Sequence, residues 1–430
     1  MSELALPEGW VDASFDDALE NISNGMGGKQ SQDGVGIPVS RIETIANESF
    51  DFNRIGFIKE PDKKDVSKYL LNVGDILFSH INSAKHLGKT AIFKNGELYH
   101  GINLLRLEVD ERVITPEYFN YYCNYLRSNG YFSLTAKHAV NQASVNQKAL
   151  KVAPITFPSL NEQKEIVRLL STHITIVSQI QARLDAIPKL IEKFRQSVLN
   201  DAVTGKLTEE WRKDKRYETL DSYEIPASWT VLSIEEVADV KGGKRLPKGE
   251  KLVEFDTGYP YIRAGQLKLG TVVNTEEARS SQKYLLAETQ KQIESYIVKE
   301  NDAYITIVGA SIGDAGLIPK SSDGANLTEN AAKLTNYKKE LNPVFLSFWL
   351  RSVWIQHEIK LQTKSAAQGK LALHRIKSLP FVYPTYDEQN EIVQNVEQFF
   401  TYANQIEKSV ATAKARVDHL TQSILHQAFT

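Results

Sequence analysis

The stretch VAPITFPSLNEQKEIV, residues 152–167, returns as SLPFVYPTYDEQNEIV at residues 378–393. Both copies set one proline four residues before another (Pro154 and Pro158; Pro380 and Pro384). Both then run four more residues into Glu-Gln (Glu162-Gln163; Glu388-Gln389) and on to Glu-Ile-Val. An internal repeat of this kind decides the architecture before any local reading does.

Working outward, the pairing continues. Residues 6–25 match 225–244 and place Trp10 on Trp229; residues 37–45 match 259–267 and place Arg41 on Arg263. Residues 69–79 match 296–306, with Asp75 on Asp302, and 116–126 match 343–353. Residues 141–154 match 367–380, with Gln142 on Gln368. The offset drifts between 219 and 227, as it must when two versions of one unit differ in loop length. Within each unit, DILFSHI and DAYITIV read as strands. Short helices are expected at SFDDALENI and SIEEVADV, capped by Ser14 and Ser233, and at PEYFNYYCNYL. The repeated prolines make poor helix interiors and read as an extended strap.

After each strap the apolar or inward-tolerant residues fall in steps of three and four, alternating throughout the second series and nearly so in the first. The first series is Ile166, Leu169, His173, Ile176, Ile180, Leu184, Ile187, Ile191, Phe194 and Val198. The second is Ile392, Val396, Phe399, Ala403, Ile406, Val410, Ala413, Val417, Leu420 and Ile424. These are coiled-coil seams, on helices of about 40 residues and roughly 60 Å. A globular unit separates them in sequence, so they pair most economically antiparallel. Pro188 is expected to kink or break the first. The expected fold is therefore α+β: two similar globular α/β domains joined by two long antiparallel coiled-coil helices with approximate two-fold symmetry. The divisions fall at 1–155, 156–215, 216–381 and 382–430.

The bulk composition sets limits. With 430 residues, 42% of them hydrophobic, the chain can fill two or three cores. No apolar run reaches the roughly 18–20 residues needed to span a bilayer, and the lone Cys123 excludes an intrachain disulfide. A cytoplasmic location is expected. The net charge is only −2. Tight DNA binding by the isolated chain would thus need its cations gathered on one face or lent by a partner.

Paired variable domains, each closing in a P-x-x-x-P…EQ strap and a long helix, resemble the specificity (S) subunit of type I restriction–modification systems. IPKLIEKFRQSVLNDAVTGKLTEEWR (187–212) and ARVDHLTQSILHQAF (415–429) resemble the conserved regions of that family's enterobacterial branch. Members of that branch carry a second copy of the GKLTEEWR element beyond the last helix, whereas this chain ends at Thr430. The resemblance implies a non-catalytic reader of double-stranded DNA. Each target-recognition domain would read one half of a bipartite site, with the helices acting as a ruler. Two methyltransferase (M) subunits would dock on the helices and restriction (R) subunits would join them. S-adenosylmethionine, ATP and Mg would then belong to those partners, and no cofactor or metal is expected on this chain.

Base reading needs Arg or Lys for guanine and Asn or Gln for adenine. Loops carrying such residues recur at matching places in both halves while their contents differ. The candidates in the first half are Lys29, Gln30, Arg41, Ser79, His80, Asn82, Lys85, Lys89, Asn141 and Gln142. Those in the second are Lys244, Arg245, Lys248, Arg263, Gln266, Ser311, Gln368 and Lys370. The plain alternative for each is a solvated loop residue or, for Arg41 and Arg263, an inward ion pair. An adenine methyltransferase would show an Asn/Asp-Pro-Pro-aromatic loop, and the chain has no Pro-Pro pair. IVGASIGDAG (307–316) lacks the lysine and hydroxyl of a phosphate-binding loop. The competing reading is a coiled-coil scaffold with two protein-binding ends.

Overall fold

The computed structural model describes residues 6–62, 65–83, 86–139, 142–220, 222–364 and 369–430. The chain forms two compact units, 1–185 with 411–430, and 186–410. Each contains the same four-stranded antiparallel sheet. In the first unit its order is Leu19–Asn24, Leu105–Val109, Ile76–Phe78, Thr90–Ile92; in the second it is Asp239–Gly242, Ala331–Thr335, Ala303–Thr306, Ala315–Leu317. Behind each sheet lies a proline-started helix, Pro116–Ser128 or Pro343–Arg351, capped by Thr115 or Asn342.

Ser14 and Ser233 cap helices as expected, but these last a single turn, Phe15–Ala18 and Ile234–Val237, before the chain enters the sheet. A bulge between Leu19 and Asn21 explains the drift of the repeat near this point. It shifts the offset by one, so that Gly25 and Gly243 become equivalent. Each glycine is pressed against a loop backbone, and an added Cβ would lie 2.2 Å from the Gly101 backbone or 2.0 Å from the Thr328 carbonyl oxygen.

The straps are strands. Pro154–Phe157 pairs antiparallel with Val11–Ser14, and Pro380–Tyr383 pairs with Thr230–Ser233 in the same register. The repeated glutamine is a buried clamp. Gln163 Oε1 accepts the Thr115 N–H (2.9 Å), while its Nε2 donates to the carbonyls of Val113 (2.8 Å) and Pro158 (2.9 Å). Gln389 repeats this on Asn342 (2.8 Å), Pro384 (3.0 Å) and Glu340 (3.4 Å). One side-chain amide thus satisfies backbone groups at a helix start and at the strap's end, groups costly to bury unpaired. Asp75 and Asp302 are also equivalent: each lies beside a buried cation on the central strand, Arg106 (3.6 Å) and Lys333 (3.8 Å) respectively.

The two long helices are Leu160–Val203 and Tyr386–Phe429. The first runs unbroken through Pro188, so the proline does not divide it. Only one backbone bond is forfeited there, at an exposed position. Pairing is antiparallel in each unit: Gln181 bonds Asp418 (2.9 Å) and Asp185 meets Lys414 (2.6 Å) in the first, while Arg195 meets Glu407 (2.9 Å) in the second. Of the expected seam, Ile191, Val198, Ile392, Val396, Ala403, Val410 and Val417 are buried, and Ile166, Leu184, Ile187, Ala413 and Ile424 half-buried. Ile176, Ile180, Phe194, Phe399, Ile406 and Leu420 are instead 36–49% exposed, and His173 is exposed too. The actual seam repeats every seven residues through Leu170, Val177, Leu184, Ile191 and Val198, against Val396, Ala403, Val410 and Val417. Its second positions lie one residue from those expected, because apolar residues occupy two adjacent stripes and spacing alone cannot say which stripe faces the partner helix. Polar pairs such as Arg195–Glu407 fill several of them.

Each unit's helix segments complete its own core. Leu170, Leu425 and Phe429 join the first, where the Phe429 ring meets Tyr118, Tyr122 and Tyr125 at 5.0–5.4 Å between centroids. Val198, Leu199, Ala202, Ile392 and Val396 join the second, around Trp349 and Phe381. Each such apolar side chain contributes about 1.5–3 kcal/mol on full burial.

Candidate nucleic-acid interface

In each unit the polar loops converge on one short hub between strands. In the first unit the hub is residues 100–103. Met26 N–H donates to the His100 carbonyl (2.7 Å), and Gly101 N–H donates to Ser40 Oγ (2.9 Å). His80 adjoins the 140s loop, its carbonyl accepting the Val145 N–H (2.9 Å). In the second unit the hub is residues 327–330. Lys244 N–H donates to Leu327 (2.9 Å), Thr328 N–H to Ile262 (3.0 Å) and Ile307 N–H to Asn330 (2.8 Å); Leu371 N–H donates to Ile307 (3.0 Å). Two bonds recur, Met26–His100 as Lys244–Leu327 and Val145–His80 as Leu371–Ile307, with the hub and central strands matching at an offset of 227, while Gly101 meets the Ser40 hydroxyl where Thr328 meets the Ile262 carbonyl. The sequence reading missed this hub, although Asn103 and Asn330 match at that offset just before each central strand.

The candidate residues divide by accessibility. Lys29, Lys244, Lys248 and Lys370 are exposed, and Arg245 has an 80% exposed side chain with Nε 2.8 Å from Glu329 Oε1. Gln30, Asn82 and Ser311 are half-buried. Asn82 donates to Ser79 Oγ (3.2 Å), and its short strand pairs with Gln142–Ser144. Lys89 Nζ reaches the Ala46 carbonyl (2.5 Å).

Ser79, His80 and Gln266, expected at base edges, are instead buried, which keeps their side chains from a DNA surface. Burial lowers the His80 pKa to about 4, so it is neutral at physiological pH. Gln266 accepts the Arg263 N–H (2.9 Å) and donates to Asn274 (2.5 Å). Arg41 and Arg263 are equivalent, each preceding a short 3₁₀ turn. Arg41 pairs with Glu43 (3.2 Å), while Arg263 donates to the carbonyls of Ala278 (3.0 Å) and Ser281 (2.6 Å). Both guanidiniums thus hold their own loops. Lys85, Asn141 and Gln368 lie outside the described residues, as does the Gln142 side chain.

Among the described residues no group of His, Cys, Asp or Glu could hold a metal ion, and no helix is long and apolar enough to cross a membrane.

The chain matches the family described as the type I restriction modification DNA specificity domain twice, over residues 7–189 and 226–413. It is 30% identical over 439 residues to the type I restriction enzyme EcoBI specificity subunit of Escherichia coli, covering 99% of this chain and 86% of that one. With the EcoKI specificity subunit of E. coli K12 the identity is 28%, over 100% and 90% of the two chains. Among solved structures, a chain from a type I R-M system superposes with a TM-score of 0.71 at 15% identity, covering 99% of this chain and 98% of that one. The HsdS subunit from Thermoanaerobacter tengcongensis gives 0.59 at 14% identity, covering 100% and 98%. These structures share the fold: two similar mixed α/β domains and a pair of long antiparallel helices. The chain belongs to the type I restriction modification DNA specificity family, as a specificity subunit that recognises DNA and is not itself an enzyme.

Proposed function

We propose that the chain recognises a split DNA target, with residues 1–155 reading one half-site and 216–381 the other. The helical regions 156–215 and 382–430 set the unread gap and dock two methyltransferase subunits, to which restriction subunits are added. The observation that carries this reading is a duplicated frame with unlike contents: the same sheet, clamp and hub recur, while the side chains they present differ. Accessible cations such as Lys29, Lys244, Lys248 and Lys370 would contact phosphates or bases, and Asn82 and Gln30 stand at the same loops. Apolar side chains exposed along the helices, including Ile176 and Ile180 in the first unit and Phe399 and Ile406 in the second, suit protein docking. The net charge of −2 gives the isolated chain little drive to displace counterions. Its DNA affinity would therefore come mainly from the assembled complex.

The test is methyl transfer by the cognate M protein with and without this chain. Modification confined to one bipartite motif, dependent on the chain, is expected. Equal modification pattern and rate without the chain would overturn the reading.

A further inference from the structure

Among the differences between the two hubs is one pair of facing positions. Gly25 and Gly243 are equivalent through their close approach to Gly101 and Thr328. Two residues on, Gly27 corresponds to Arg245; one residue past the contact, Ile102 corresponds to Glu329. In the first unit the Asp62 carboxylate covers Gly27, its Oδ2 2.1 Å from where a Cβ would sit, and Ile102, 48% exposed, stands beside it with Cδ1 at 3.6 Å. In the second the facing positions form an ion pair. Glu329 Oε1 accepts from Arg245 Nε (2.8 Å), and its Oε2 lies 3.2 Å from Thr328 Oγ1 and 3.5 Å from the Tyr261 hydroxyl. The carboxylate is thus held from its own loop and from a neighbouring strand, and it steadies a guanidinium that projects into solvent. Among the described residues, nothing accepts from Arg245 Nη1 or Nη2.

A guanidinium with a free fork matches O6 and N7 of guanine in the major groove, and an apolar side chain matches the thymine methyl. We propose that these equivalent positions are specificity determinants. Arg245, oriented by Glu329, reads a guanine in the half-site of the second domain, and Ile102 contacts a thymine methyl in the half-site of the first. Glu329 is a positioning residue for Arg245. The assignment rests on the half-site reading proposed above.

The experiment maps modified adenines on a randomised target library, using the chain complexed with its M subunits. Arg245→Ala is expected to relax one G·C position in one half-site, losing about 10- to 100-fold discrimination there, with the other half unchanged. Glu329→Gln, which keeps a hydrogen-bond acceptor without the charge, should relax the same position less. Ile102→Ala should weaken a thymine preference in the opposite half by a few-fold. Arg245 and Ile102 are surface-exposed and Glu329→Gln keeps the shape of a half-buried side chain, so folding is not at stake. If Arg245→Ala slows modification equally at every sequence, the arginine is a phosphate contact and the assignment is wrong. If the wild-type complex imposes no bipartite motif, the half-site reading itself falls.

Discussion

The strap glutamates Glu162 and Glu388 occupy one place in the repeat and have unlike surroundings. Glu162 is exposed and, among the described residues, accepts one bond, from the Trp10 indole (3.2 Å). Glu388 is buried, accepting from the Trp229 indole (2.9 Å), Thr208 Oγ1 (2.8 Å) and Arg212 Nη1 (2.6 Å). The added partners come from residues 204–212, which follow the first long helix and fold back onto the second domain. The same strap motif is therefore a surface latch in one unit and the centre of a buried polar cluster in the other. Sequence identity at a repeat position fixes the local bond; what the chain packs over it decides its energetic weight.

The sharpest way to strain that comparison is to remove each glutamate. Glu388→Ala leaves the Arg212 guanidinium, 6% exposed, without its carboxylate, and should cost the second unit about 3–5 kcal/mol. Glu162→Ala should cost the first roughly 0.5 kcal/mol or less. Hydrogen exchange resolved by unit would read the difference, since two units need not unfold together. Equal losses would refute the comparison.

Acid should separate the units next. His80 and His100 are buried in the first, where the equivalent residues of the second are Ile307 and Leu327. Burial lowers both histidine pKa values from the usual 6.5 to about 4; at His100 the bond to the Leu104 carbonyl opposes this and Arg106 and His80 reinforce it. Above pH 6.5 neither folded nor unfolded chain protonates these rings, so they add nothing to the pH dependence. Between 6.5 and about 4 the unfolded chain takes up protons that the folded unit refuses, and the first unit loses a few kcal/mol. The loss is complete below 4. A His80→Ile/His100→Leu double variant, which copies the second unit's residues, should flatten this dependence in the first unit alone. Urea titrations of both forms from pH 7.5 to 4 would show it.

The clamps should respond alike. Gln163→Ala and Gln389→Ala each strand a backbone N–H and two carbonyls, and should each cost about 1–3 kcal/mol in their own unit. A large disparity in exchange protection would mean that the two straps are not the same device.

Much of this was legible in the sequence because repetition amplifies weak signals. The straps, both helix launches and the Asp75/Asp302 correspondence follow from matched positions that no single copy would have distinguished. Spacing alone places the seam one residue off at half its positions. Residues 166–180 carry apolar side chains on two neighbouring stripes, and only the partner helix selects between them. Buried polar residues misled the site reading in the same way. Gln266 and His80 have the chemistry of base readers, but burial is a tertiary property, and the hub that orders the loops is built from backbone bonds that leave little trace in residue type. Arg245 was among the candidates; Glu329 and Ile102 emerged only once the two hubs could be superimposed through their hydrogen bonds.

On the proposed reading, each domain reads its own half-site within a shared frame. Replacing residues 226–377 with the corresponding segment of a relative of different specificity, then sequencing the adenines modified by the reconstituted complex, tests it directly. A target in which one half-site changes while the other half and the gap between them persist is the predicted result. Changes in both halves, or in neither, would contradict it.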